Sequence, residues 1–175
     1  VSRATAYRYF PTQEALLVEL SNIIPFIAPI EELLAGLETE DVEQRLLLLL
    51  RSFGSITVAA EEDFRRALWV YLDTWHRSRR DGQSPPELRV GRRMRWLAKV
   101  LEPLTELPEP QCRRLHAALA LTLGIESLVV MKDVCRLDDD EALEVLRWAA
   151  TALLRAGLED AGASQEPVQT LRPSA

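Results

Sequence analysis

Apolar residues in this chain recur at steps of three and four, and nowhere do they alternate with polar ones as a half-buried strand requires. A sequence with only that period buries itself by packing helix on helix, so the expected fold class is all-α. Punctuation divides the pattern. Pro11 and Thr12 end a first short helix, with Thr12 as N-cap of a helix over residues 13–34 that Pro25 and Pro29 are expected to kink or break. Residues 37–41 read as a loop. Asp41 opens a helix that carries the run Leu46 to Leu50 and ends near Ala60, and residues 61–80 form another, rich in aromatics. The string D-G-Q-S-P-P at 81–86 is a loop. Helices follow over 87–104, 111–134 and 139–158, the first two separated by the break Leu107-Pro108-Glu109-Pro110. Asp138, with Glu141 three residues on, has the spacing of a capping box. The Gly, Ser, Gln and Pro of residues 161–175 read as a disordered tail.

The 175 residues are 47% hydrophobic, and a domain of about this length buries roughly 70% of its unfolded surface. That is one core, so one main domain plus a fragment is expected. With a net charge of -6 the chain is no general nucleic-acid coat, and any DNA contact is local. The longest uncharged stretch near the middle, Ala117 to Ile125, is too short to span a bilayer. The N-terminus carries no apolar signal segment. The expected setting is cytoplasmic, with no membrane partner. Cys112 and Cys135 form no C-x-x-C, and neither His76 nor His116 stands at zinc-finger spacing from them. They read as two buried thiols, with no metal and no cofactor. Enzyme signatures are missing too: there is no Gly-rich phosphate loop, no G-x-S-x-G and no H-E-x-x-H. The acidic run Asp138 to Glu141 lacks the glycine and spacing of a calcium loop, and helix capping explains it.

The N-terminal string is V-S-R-A-T-A-Y-R-Y-F-P-T-Q-E-A-L-L. Ser2 can cap a helix of barely two turns that carries Arg3, Thr5, Tyr7, Arg8 and Tyr9 and almost no apolar face. Hydroxyls, arginines and a helix N-terminus are groups that hold phosphates, and arginine also reads guanine in the major groove. Ala4, Ala6 and Phe10 are left to pack inward or to touch a thymine methyl. A frayed surface helix with some aromatics is the other reading. The string resembles the recognition helix of TetR/AcrR transcription regulators and the start of the helix after it, with Ser2, Arg3, Thr5, Tyr7, Phe10, Glu14, Ala15, Leu16 and Leu17 fitting the family pattern. The resemblance implies that Arg3, Thr5, Tyr7, Arg8 and Tyr9 face operator DNA, with Ser2 at the helix start. Gln13 stands where the family usually has a lysine that reaches a phosphate; it can donate a hydrogen bond but brings no charge. The resemblance further implies that residues 1–20 are the end of a helix-turn-helix domain, with the recognition helix at about 2–10 and its earlier helices upstream of Val1. Residues 21–160 would then be a helical ligand-binding and dimerisation domain.

The last two helices bear on partners independently. Over residues 139–158, Glu144, Arg147, Thr151 and Arg155 make one narrow polar stripe, and apolar residues cover most of the remaining circumference. A surface helix needs only one apolar stripe. Residues 111–134 likewise show two apolar faces. One face serves the domain's own core; the other fits a second copy, in a four-helix bundle across a two-fold axis. A deeply buried hairpin inside a monomer is the alternative. The expected interface comprises Leu121, Gly124, Leu128, Met131, Leu143, Leu146, Ala150 and Leu154. The string I-E-S-L-V-V-M-K-D-V-C-R-L-D-D-D-E-A-L-E-V-L-R-W-A-A resembles, more loosely, the end of TetR-type regulatory domains, where the last two helices dimerise.

Regulators of that family release DNA when a small molecule enters the regulatory domain. The expected lining here is aromatic and sulfur-rich: Phe53, Phe64, Trp69, Tyr71, Trp75, Met94, Trp96 and Met131, with His76 and Glu126 as polar anchors. The same aromatics at helical spacing serve equally as core. Arg77, Arg79, Arg80, Arg89, Arg92, Arg93 and Arg95 surround the Pro85-Pro86 loop as a solvated cluster or a second DNA contact. Two functions follow: a homodimeric repressor released from double-stranded operator DNA by an apolar or aromatic effector, or a helical ligand-binding and dimerisation module that does not touch DNA.

Overall fold

A computed structural model describes residues 28–84 and 91–165, and every regular element within them is helical. The all-α expectation holds for these residues: seven α-helices and one π-helical turn.

Helix α1 is described over Ala28–Ala35. Residues 13–27, with Pro25, lie outside the described residues. Ile30 and Leu34, four apart, are the buried pair of α1. Helix α2 (Val42–Ala59) begins where Asp41 accepts hydrogen bonds from the Glu43 and Gln44 backbone N–H groups at 2.9 and 3.2 Å. Val42, Leu46, Leu49, Leu50, Phe53 and Thr57 are buried along it, which makes it the central strut of the core. Arg45 is buried with them. Its guanidinium donates to the Thr39 carbonyl at 2.6 Å and the Lys99 carbonyl at 3.0 Å, so it ties the loop before α2 to the end of α4 instead of standing unpaired.

Helix α3 (Glu61–Arg80) follows after one residue, with Glu61, Glu62 and Asp63 in its first turn and Arg77, Arg79 and Arg80 in its last. Those charges oppose the helix dipole at both ends. Its bounds are those expected from the sequence. Helix α4 (Arg92–Val100) buries Trp96, Leu97 and Val100. It stops short of the expected residue 104, because Pro103 disfavours helical backbone at Glu102.

Helix α5 (Glu109–Ala120) carries Pro110 in its first turn. The single helix expected over 111–134 does not form. After Ala120 the backbone tightens through i to i+3 bonds (Leu121 N–H to the Ala118 carbonyl, Thr122 to Leu119), and Gly124 then turns away at φ 102° and ψ -179°. Carbonyls freed by the break are taken by side chains. The Thr122 hydroxyl donates to Leu119, the Ser127 hydroxyl to Leu121, and Arg93 from α4 to Leu123. A short α6 (Ile125–Val129) runs into the π turn Val130–Val134, closed by the Cys135 N–H on the Val130 carbonyl at 3.0 Å.

Helix α7 (Asp139–Gln165) opens with the expected capping box. Glu141 N–H donates to Asp138 at 2.9 Å, and Asp138 N–H donates back to Glu141 at 3.2 Å. The helix runs past residue 158 and takes in the first residues assigned to a disordered tail. An Arg114–Asp160 ion pair at 2.6 Å and the buried Ala161 hold this stretch to the bundle. The rest of that tail lies outside the described residues.

The core joins α1, α2, α4, α5 and α7, with Phe64 of α3 packed against it: Ile30, Leu46, Leu49, Leu97, Leu119, Leu123 and Leu154 are almost fully buried in it. A smaller cluster of Ile125, Leu128 and Ala142 packs beneath Phe64 and Leu68 of α3. Close approach depends on two helical glycines. Leu143 lies where a Cβ on Gly54 would stand, and Leu115 where one on Gly157 would.

Candidate functional site

The DNA-facing residues read from the sequence, Ser2, Arg3, Thr5, Tyr7, Arg8, Tyr9 and Gln13, lie outside the described residues. The expected ligand lining does fall within them, and it does not converge. Phe53, Phe64 and Trp96 meet as core aromatics, Phe53 standing edge-on to Phe64 at 6.2 Å and to Trp96 at 5.2 Å. Trp69, Trp75, Met94 and His76 are exposed. Tyr71 is half-buried, and Met131 packs against the smaller cluster. Helix α3 explains the scatter: only Val70 of its twenty residues is buried, so Trp69, Leu72 and Trp75 form a stripe on its open side. Glu126 does not point into a cavity as an anchor; it accepts a hydrogen bond from Arg93 at 3.1 Å.

One cavity among the described residues lies between α2, the break after α5, and α7. Leu50, Phe53, Gly54 and Thr57 line it from α2, and Thr122, Leu123, Gly124 and Leu128 from the break and α6. Leu143, Leu146 and Arg147 close it from α7. Its enclosed part is narrow, with room for roughly one water molecule. Of the ten residues expected to line a ligand pocket, Phe53 lines this cavity. The other lining residues escape a sequence reading because the break that creates the cavity reads as continuous helix. The signal is Gly124 behind Thr122 in L-T-L-G-I-E-S, a glycine inside an otherwise helical pattern.

The expected dimer residues also divide. Leu121 is 75% exposed at the end of α5. Ala150 and Leu154 are buried in the chain's own core, because α7 turns that face to α2 and α5, and Leu128 of α6 is buried in the smaller cluster. Gly124, Leu143 and Leu146 line the cavity, and Met131 serves the smaller cluster. Of these seven, Leu128, Ala150 and Leu154 are buried within the chain itself, and the other four are half-buried. The large apolar side chains that α7 presents outward among the described residues are Val145, Trp148 and Leu158, with Trp148 72% exposed. Leu115 meets Gly157, while Leu123 and Gly124 share a cavity wall with Leu143 and Leu146, so α5 and the break after it run antiparallel to α7. Leu121 therefore lies toward the Val145–Trp148 stretch of α7.

Charge gathers at the π turn. Arg65 of α3 forms a two-pronged pair with Asp133, both bonds 2.7 Å, and also donates to Glu61. Lys132 bridges Glu61 and Asp139. Burial pushes the Glu61 carboxyl up, but hydrogen bonds from Lys132 and Arg65 outweigh it and hold the group below the ordinary carboxylate range. Arg65 holds Asp133 low. Asp139 and Glu61 raise the Lys132 ammonium, and Asp133 and Glu61 raise Arg65. The cysteines differ from expectation: Cys112 is half-buried and Cys135, just beyond the π turn, is exposed. Among the described residues no helix is long and apolar enough to cross a membrane, and no three His, Cys, Asp or Glu side chains gather to hold a metal ion. Of the arginines near the 81–90 loop, Arg77 pairs with Asp73, Arg80 with Asp81 and Arg93 with Glu126. No family model, curated protein or solved structure matches the chain.

Proposed function

We propose that this chain belongs to a cytoplasmic TetR-type transcription regulator, a homodimeric repressor that a small effector releases from operator DNA. The observation that carries the reading is the N-terminal string, where Ser2, Arg3, Thr5, Tyr7 and Phe10 stand at the family's spacing before Glu14-Ala15-Leu16-Leu17. Two features of the fold are compatible with it. The described chain is wholly helical, and its last long helices leave Leu121, Val145 and Trp148 uncovered. In this reading the short helix enters the major groove, Arg3, Thr5, Tyr7, Arg8 and Tyr9 meet phosphates and base edges, and two-fold symmetry sets a near-palindromic site.

The test is selection from random duplex DNA by the gene product as encoded, followed by gel-shift titration. A near-palindromic sequence is expected to enrich. Tyr7→Ala or Thr5→Ala is expected to weaken binding to it by about 1–3 kcal/mol, the scale of one base contact, without loss of helical signal. Absence of any enriched sequence would leave the chain as a ligand-binding and dimerisation module that does not touch DNA.

A further inference from the structure

We propose that the Trp69–Leu72–Trp75 stripe of α3 is a second self-association face, on which α3 of another copy lies antiparallel. This goes beyond the regulator reading. The homodimer there uses the Leu121–Trp148 face, and the contact on α3 joins one dimer to the next.

Helix α3 is short of partners within its own chain. Of its twenty residues Val70 is the one buried, while Phe64 and Leu68 pack against the clusters beneath it. On the other side Trp69, Leu72 and Trp75 stay 58%, 53% and 46% exposed. Three large apolar side chains within two turns of one helix are a contiguous patch of the kind that marks an interaction site. They offer on the order of 400 Å² per copy, roughly half of the 800 Å² that each partner gives to a stable complex. The contact is therefore weak and forms as the protein is concentrated.

Charge decides the occupant. The helix is acidic in its first turn and basic in its last. Glu62, Trp69, Leu72 and Arg79 stand seven, three and seven residues apart, so they share one side of the helix, and all four are exposed. That order is its own complement when reversed. An antiparallel copy sets Trp69 against the second copy's Leu72 and Glu62 against the second copy's Arg79, and two-fold symmetry makes each pair twice. A parallel copy would set acid on acid and arginine on arginine. An anionic surface, whether lipid or nucleic acid, would be repelled by the acidic end of the same helix.

Sedimentation of the gene product as encoded, over a rising concentration series, tests this. An association step from dimer to tetramer is expected at roughly 10–100 µM. Trp69→Ser/Trp75→Ser is expected to weaken that step about tenfold or more, with the dimer and the helical circular dichroism unchanged. Glu62→Arg and Arg79→Glu are each expected to weaken it about threefold, and the two together to restore it, because the reversed pairs match again. In Trp148→Asp the same step is expected to run from monomer to dimer. Absence of the step in both the native chain and Trp148→Asp overturns the proposal, as does a Trp69→Ser/Trp75→Ser chain that assembles like the native one. A double charge variant no tighter than either single one removes the antiparallel order and overturns it too. So does emission from Trp69 and Trp75, taken as the difference from Trp69→Phe/Trp75→Phe, that acrylamide fails to quench in dilute solution, since the stripe is then covered within its own chain. The other face is separable. A native chain that passes only from monomer to dimer, and loses that step in Trp69→Ser/Trp75→Ser, keeps this contact and removes the one at Trp148.

Discussion

Gly124 is the residue on which the shape of the bundle turns. Its φ of 102° with an extended ψ is a conformation that side chains other than glycine essentially never adopt. A Cβ there would also stand 2.8 Å from a nitrogen of Arg93 and 3.2 Å from a carboxylate oxygen of Glu126. Gly124→Ala is therefore expected to cost about 2–3 kcal/mol, from strained backbone and a disturbed Arg93–Glu126 pair. Gly54 supplies the control. A Cβ there also meets an atom at 2.8 Å, but that atom is a methyl at the tip of Leu143, and the backbone is ordinary helix. The helix propensity gained by Gly54→Ala, about 1 kcal/mol, offsets much of the cost of moving one leucine tip. Urea denaturation of both variants measures the contrast; equal losses would mean that crowding, not backbone conformation, is what Gly124 relieves. The residue is legible in the sequence only as a glycine amid helix formers. What fixes its role is Arg93, some thirty positions away, which supplies a partner for a carbonyl that a continuous helix would have kept for itself.

At the scale of elements, local chemistry was readable and distant partners were not. The bounds of α3, the Asp41 cap and the Asp138–Glu141 box all rest on neighbours within four residues, and they formed as the sequence indicated. Which side of a helix is covered depends on other helices. The aromatics of α3 have the look of a pocket lining, yet Trp69 and Trp75 face outward because little packs on that helix. The π turn shows the same dependence, since its Lys132 and Asp133 are held by Glu61 and Arg65 of α3. The pairing makes some of the stability pH-dependent. Glu61 and Asp133 have carboxyls held below their ordinary values of 4.5 and 3.8. Their contribution is complete above those unfolded values and is lost as pH falls through the lower folded ones. Lys132 is raised above 10.5, so its contribution is complete below that pH and is lost as pH rises through the higher folded value. In chemical denaturation, the gap between the native chain and Glu61→Gln/Asp133→Asn is expected to be widest near neutral pH and to narrow in acid below about pH 4, as the native carboxyls protonate. A gap that stays constant down to about pH 2 would show that the two residues act through shape rather than charge.

For the whole molecule the question is what covers Leu121 and Trp148. A tryptophan and a leucine about three-quarters exposed, with Val145 one turn before the tryptophan on the same side of α7, are more than a solitary apolar side chain on a soluble surface. A second copy meets the need most directly, because α5 and α7 are antiparallel and a two-fold axis beside them sets the same pair against itself. Tryptophan at the centre of such a contact is the residue type that carries most of the binding energy. The native chain is thus expected to sediment as a dimer. Trp148→Asp and Leu121→Glu are each expected to shift it toward monomer while helical circular dichroism stays unchanged, since both side chains lie outside the core. Leu154→Glu behaves differently. That residue is 1% exposed within the chain's own core, so a charge there is expected to unfold the protomer rather than to separate intact protomers. Sedimentation and circular dichroism on the same three variants distinguish the two effects. A native chain that sediments as a monomer, or a Trp148→Asp dimer as tight as the native one, would move the subunit contact to another face, the exposed Trp69–Leu72–Trp75 stripe of α3 being the next to test.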